Sequence, residues 1–155
     1  MASVSAAECG LAKQMSKINE NFCVKAIGHI ESPLTDRASA PKQGREGSPL
    51  AWLVFDKSMR EALSDLHVGE EVIVLTWLDR SHRDVLKVHP RGGRTRPQRG
   101  VFSTRSPDRP NPIGLHRVKI ISIQDALRIQ VRDLEALHMT PILDIKPVLE
   151  EVADY

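Results

Sequence analysis

Short apolar runs recur along the chain between polar, proline-rich connections, and their period is that of strands. Phe22, Val24 and Ala26 alternate with Cys23, Lys25 and Ile27, which predicts a strand over 22–30 with Gly28 a candidate bulge. Leu50-Ala-Trp-Leu-Val-Phe55 is a continuous apolar run of strand length, closed by Asp56. Glu71 to Leu78 is rich in β-favouring residues (Val72, Ile73, Val74, Thr76, Trp77) and predicts a strand most clearly. Val85–His89 reads as another. From Leu115 to Ile123, the residues Leu115, Arg117 and Lys119 alternate with His116, Val118 and Ile120. After a turn at Gln124-Asp125, Leu127, Ile129 and Val131 alternate with Arg128, Gln130 and Arg132, so the two segments predict a hairpin. Thr140–Val148 is a last extended piece with prolines at 141 and 147.

Helical spacing occurs once, at Met59, Leu63 and Leu66, with Asp56 or Ser58 as the cap. Strands, one short helix and long loops predict a mostly β, single-domain, closed or nearly closed β-barrel. A Rossmann fold is excluded, because no glycine-rich strand-to-helix turn and no strand–helix alternation occur. Residues 1–20 show no period and are expected to form a flexible lead-in. Residues 21–150 would then form the barrel domain, and 151–155 an acidic tail.

The 155 residues suffice for one domain with a real core. No apolar run approaches the ~18 residues of a membrane span, and no basic region precedes an apolar stretch at the N-terminus. A cytoplasmic protein is expected. Cys9 and Cys23 lack metal-ligand spacing and read as reduced thiols. His82, His89 and His116 are scattered, so no metal is expected.

The formal net charge is only +2, but it is unevenly placed. Eleven Lys/Arg stand against three Asp/Glu between Asp79 and Lys119, while acidic residues prevail elsewhere. That polarity points to a polyanionic partner. Its densest part, Pro90 to Arg99, holds four arginines, two glycines and two prolines, and arginine-rich loops of this kind order on phosphate backbones. Arg91, Arg94, Arg96 and Arg99 are therefore the phosphate-contact candidates.

The connection that follows, from Gly100 to Gly114, carries prolines at 107, 110 and 112. Each removes a backbone donor and restricts itself and the residue before it, so helix is excluded over 106–112. Val101 and Phe102 are expected to end a strand. The result is a stiff extended loop presenting Arg105, Asp108, Arg109 and Asn111, a preorganised surface for a planar or anionic ligand. A second reading has the same arginines brace the loop through Asp108 or Asp144, and Asp144 with Lys146 reads either as an internal pair or as ligand groups. A second long connection, 31–49, holds Gln43, Gly44 and Arg45. A connection of that length in a compact domain is functional or disordered.

Phe102-Ser-Thr-Arg-Ser-Pro-Asp-Arg-Pro-Asn-Pro-Ile-Gly114 resembles the signature of the TsaA/TrmO-like family. Thr140-Pro-Ile-Leu-Asp-Ile-Lys-Pro147 is similar to that family's second motif, and Ile27-Gly28 with Ser32-Pro33 to its opening strand. The resemblance covers roughly 22–149. It implies a β-barrel that binds S-adenosylmethionine without a Rossmann scaffold, usually as a homodimer. It also implies methyl transfer to N6 of threonylcarbamoyladenosine at position 37, in the tRNA anticodon loop. The cofactor-contacting positions it implies are Gln43, Gly44, Arg45, Ser81, His82, Arg105, His138, Met139, Thr140 and Pro141. Asn111 suits the adenine edge, Arg105 or Lys146 the cofactor carboxylate, and Arg109 the RNA. Methyl transfer to a delocalised nitrogen calls for a base, for which His82 is the candidate, with Asn111 beside it.

The chain departs from the family at one motif position, where His138-Met139 replaces the usual aspartate-glycine before Thr140. Neither residue is expected to reproduce glycine's backbone freedom. Longer tRNA-modifying members continue into a C-terminal domain, which implies a possible difference in substrate. The competing expectations are a methyltransferase acting on another substrate and a non-catalytic module that binds a nucleotide or RNA.

Overall fold

The computed structural model describes residues 23–90, 93 and 95–149. The lead-in 1–20, Phe22, the tail 151–155, Arg91 and Arg94 lie outside the described residues. The strands are β1 (Gly28–Glu31), β2 (Ala51–Phe55), β3 (Glu71–Trp77), β4 (Lys87–Val88), β5 (Arg99–Gly100), β6 (Ile113–Gln124), β7 (Arg128–Arg132) and β8 (Pro141–Pro147).

Six of these strands form one closed ring in the order β1-β2-β7-β6-β3-β8, every neighbouring pair antiparallel. The mostly β, single-domain, non-Rossmann expectation is met by this ring-like sheet. β4 and β5 form a separate two-stranded ribbon. The β6–β7 hairpin turns at Asp125 and Ala126, one residue later than expected. Both have positive φ (56° and 52°), which matches the right-handed twist of the flanking strands.

Alternation decides what faces inward. β2 buries Ala51, Leu53 and Phe55, and β7 buries Ile129 and Val131. β6 buries His116, Val118 and Ile120 along one face, and β3 adds Val72, Val74 and Thr76. Ile30, Ile142, Leu134 and Ala136 complete the core. Each large aliphatic so enclosed contributes about 1.5–3 kcal/mol relative to exposure.

Four local expectations are corrected. β1 covers Gly28–Glu31 rather than the expected 22–30, because the ladder to β2 and β8 starts with Gly28 opposite Phe55 and Ile142, preceded only by the main-chain bonds of Ile27 to Ile142 and Asp56. The helix expected through Leu66 is a 3₁₀ turn over Lys57–Met59 followed by further turns. Its hydrogen bonds from Met59 N to Asp56 O and from Arg60 N to Lys57 O span three residues, although Met59, Leu63 and Leu66 still pack on the core. Val101 and Phe102 belong to a 3₁₀ turn, Val101–Ser103, and not to a strand end. Cys23 is disulfide-bonded rather than a reduced thiol; sequence spacing carries no information on the close Cα approach a disulfide needs. Among the described residues, no helix is long and apolar enough to cross a membrane.

Candidate active site

Six stretches converge on a cavity of about 880 Å³. They are 37–45, 78–81, the β4–β5 ribbon, 103–109, the start of β6, and 133–140. The strands bring these distant segments together, and side chains then lock them.

The proline-rich loop is braced from within. The Arg109 Nε donates to Ser106 O at 2.8 Å, and its terminal nitrogen donates to the carbonyls of Val101 and Thr104. The bracing role considered for this arginine is thus filled by carbonyls, not by Asp108 or Asp144. Arg109 lines the cavity, yet its guanidinium is committed to its own loop. Asp108 instead takes Arg37 through two parallel hydrogen bonds of 3.0 and 2.9 Å and the His82 N–H at 2.9 Å. One carboxylate thereby ties together the 31–49 connection, the end of β3 and the proline-rich loop. Arg80 makes a second tie, donating to Thr35 O at 3.1 Å and His138 O at 2.7 Å.

Gln43, Gly44 and Arg45 all line the cavity, with Gly44–Glu46 forming a 3₁₀ turn. Gly44 is buried against the 133–140 segment, and a Cβ there would lie 1.6 Å from Asp133 O. Only glycine allows that approach. Arg45 reaches Glu71, which also accepts two hydrogen bonds from Arg117. These bonds hold the Glu71 carboxyl below its ordinary pKa against the opposing effect of burial. Ser81 and Arg105 also line the cavity. Arg105 makes no hydrogen bond or ion pair with any described residue, so its charge is available to a ligand.

The turn before β8 is closed by the hydrogen bond from Thr140 N to Leu137 O at 3.1 Å. Met139 N donates to Ile30 O and His138 N to Leu34 O, both at 2.7 Å. Met139 has φ 66°, so it takes the left-handed conformation glycine favours, contrary to the expectation from its side chain. The surrounding hydrogen bonds over-determine the turn and hold the strained residue there. Thr140 is buried and lines the cavity, while His138, Met139 and Pro141 flank it without lining it.

Other expected residues sit elsewhere. His82 and Asn111 are exposed and do not line the cavity; His82 contributes main-chain bonds only, to Asp108 and Arg109. Of the arginine loop, Arg91 and Arg94 are outside the described residues. Arg96 is exposed and its carbonyl accepts from the His89 ring at 2.8 Å, and Arg99 lines the cavity from β5. Asp144 and Lys146 pair at 2.9 Å on β8, away from the cavity lining.

Sequence reasoning missed the group at the cavity wall formed by His116, Thr76 and Glu135. The His116 ring is almost wholly buried, with Nε2 2.8 Å from Thr76 Oγ1 and Nδ1 2.8 Å from Glu135 Oε1. A carboxylate only accepts, so the Nδ1–H donates to it, while Nε2 is hydrogen-bonded to the threonine hydroxyl. Gly114 makes room, since a Cβ there would come within 2.3 Å of Thr76 Oγ1 and 2.5 Å of His116 Nε2. The β6 alternation already set His116 beside Val118 and Ile120, which was the available signal. Among the described residues, no group of three or more His, Cys, Asp or Glu is placed to hold a metal.

The model of the tRNA-methyltransferase O N-terminal domain matches residues 29–154. A probable S-adenosyl-L-methionine-binding protein of Methanothermobacter thermautotrophicus is 40% identical over 129 residues, covering 83% of this chain and 91% of that protein. A tRNA (adenine(37)-N6)-methyltransferase of Rattus norvegicus is 32% identical, across 99% of this chain but 36% of its own length. The crystal structure of TrmO from Pseudomonas aeruginosa superposes with a TM-score of 0.66 at 27% identity, covering 87% of this chain and 60% of that one.

Proposed function

The chain belongs to the family of the tRNA-methyltransferase O N-terminal domain, and from that premise we propose that it is an S-adenosylmethionine-dependent methyltransferase acting on N6 of adenosine in tRNA. The acceptor is threonylcarbamoyladenosine at position 37 of the anticodon loop. The rat relative's adenine(37)-N6 activity and the archaeal relative's S-adenosyl-L-methionine binding support this reading. The homodimer that the resemblance implies and the cytoplasmic location expected from the composition belong to the same reading.

The observation that carries it is the convergence of both family motifs and Gln43–Arg45 on one cavity. The lining fits the cofactor chemically. Arg105 offers an uncommitted guanidinium to a carboxylate, and Leu78, Val88, Ile113, Leu115 and Leu137 supply apolar walls for an adenine. Gly44 lets a main-chain segment approach closely. When bound, the cofactor supplies an electrophilic methyl group on a sulfonium. The chain's own task is then positioning, which can contribute ~7–11 kcal/mol toward such a barrier without a protein nucleophile. Asp108 and Arg80 tie the walls, Arg109 stiffens the loop, and the arginines of 91–99 meet RNA phosphates.

The test is transfer of a labelled methyl group from S-adenosylmethionine to tRNA, followed by nucleoside analysis. Label in an N6-methylated threonylcarbamoyladenosine supports the reading. Label that stays on the cofactor with every tRNA pool, despite measurable cofactor binding, would overturn it.

A further inference from the structure

The cavity lining carries eight cationic side chains and only three carboxylates, Asp79, Asp133 and Glu135. Asp133 pairs with Arg132 at 3.6 Å, and Asp79 is exposed. Glu135 is different. Its Oε1 is gripped by the Nδ1–H of His116, whose ring is itself fixed on the other side by Thr76. Its Oε2 has no partner among the described residues and is not enclosed. The carboxylate is therefore held in place from inside the core with one oxygen left over. The chain next to it, Ala136 and Leu137, presents apolar lining. The Glu135 side chain is 23% exposed, so its charge is screened less than that of a fully exposed carboxylate.

We propose that Glu135 is the counter-charge for the cofactor's sulfonium and that His116 is its positioning residue. This rests on the cofactor reading above. A sulfonium has a permanent positive charge and no N–H group, so it needs a nearby anion but no set of acceptors. One free carboxylate oxygen beside Ala136 and Leu137 provides that. An ammonium, with three donors, asks for more acceptors than this wall provides. In a cavity otherwise dominated by arginines, the sulfonium would be repelled without such a fixed anion. The demethylated product is a neutral thioether, so the same carboxylate ceases to favour it. Glu135 thereby makes the cavity prefer the charged cofactor and release the spent one.

The experiment is calorimetric titration of the full chain with S-adenosylmethionine and with S-adenosylhomocysteine, for the wild type, Glu135→Gln and His116→Gln. Glutamine at 135 keeps an acceptor for the His116 N–H and removes only the charge. Wild type should prefer the sulfonium, and Glu135→Gln should weaken S-adenosylmethionine about tenfold, with the thioether's affinity within about twofold. His116→Gln should shrink the same preference, whereas mere structural damage would weaken both ligands together. If Glu135→Gln does not fold, Glu135→Asp, which draws the carboxylate back, is read the same way. Equal loss for both ligands, or no loss, would overturn the proposal while leaving the cofactor reading intact. Wild type binding both ligands equally would also sink this proposal alone. Wild type binding neither would overturn the cofactor reading and this proposal with it.

Discussion

The Arg37 guanidinium lies against the Asp108 carboxylate in a fork-to-fork pair, joining connections 71 residues apart in sequence. Burial raises the Asp108 pKa, but the bonds from Arg37 and the His82 N–H outweigh it and the net shift is downward from 3.8. A carboxyl whose folded pKa is depressed contributes stability above its unfolded value and loses it as pH falls through the folded one. Asp108→Asn should therefore cost about 1 kcal/mol at pH 7, discounted for partial exposure. It should also flatten the loss of stability below about pH 4. Thermal unfolding of both proteins between pH 7 and pH 3 checks this; parallel curves would refute it.

Met139 holds a backbone conformation that costs an L-residue about 1–2 kcal/mol. Its side chain is 50% exposed, so little packing is at stake. Met139→Gly should raise the melting temperature by about 2 °C, the relief of strain exceeding the extra flexibility of the unfolded chain. Met139→Ala should leave it nearly unchanged, because alanine keeps the strain. A rise with alanine as well would place the effect in the methionine side chain.

Much of this was legible in the sequence, and the reasons are specific. β3 and β6 announced themselves because half-buried strands alternate and Glu71–Trp77 is β-rich throughout. Gln43, Gly44, Arg45, Arg105 and Thr140, singled out by the motifs as cofactor positions, all line one cavity. His82 lies outside the cavity lining, because a residue at a strand end can contribute main-chain bonds while its ring stays exposed. The His116–Glu135 pair was hidden for another reason. It depends on the register that sets Thr76 opposite Gly114, and on an irregular segment whose course no period reports. The helix expected after Asp56 had the right apolar spacing but closed into 3₁₀ turns, and that spacing does not separate the two.

Gly44 and Gly47 sit three residues apart and should respond oppositely to alanine. A Cβ at 44 would strike Asp133 O, whereas at 47 nothing lies within 4 Å and only the positive φ of 97° objects. Gly44→Ala should separate the loop from the 133–140 segment, costing about 1–3 kcal/mol and weakening S-adenosylmethionine at least tenfold. Gly47→Ala should cost about 1 kcal/mol and leave cofactor affinity unaltered. Calorimetry and thermal unfolding on both variants decide the matter. Equal effects on binding would remove loop docking from the explanation.

Arg105 faces the cavity without a partner among the described residues, so its removal should touch ligand binding and little else. Arg105→Ala is expected to lower S-adenosylmethionine affinity about tenfold or more, with a melting temperature within about 1 °C of wild type. A large loss of stability with unchanged affinity would make Arg105 a brace of the loop instead.

The arginine loop should show the converse behaviour. Arg96 is exposed and does not line the cavity, and Arg94 stands two residues before it in sequence, so this pair tests the phosphate contacts proposed for the loop. Each phosphate contact on a single strand adds about 0.7 to the slope of log affinity against log salt. Replacing both with alanine should reduce the slope for tRNA binding by about 1.4 and weaken binding at low salt, while S-adenosylmethionine affinity stays within twofold. Fluorescence anisotropy of labelled tRNA across a salt series measures the slope directly. An unchanged slope would move the RNA contacts to another face. A matched loss of cofactor affinity would mean that the loop closes over the cavity rather than gripping the RNA.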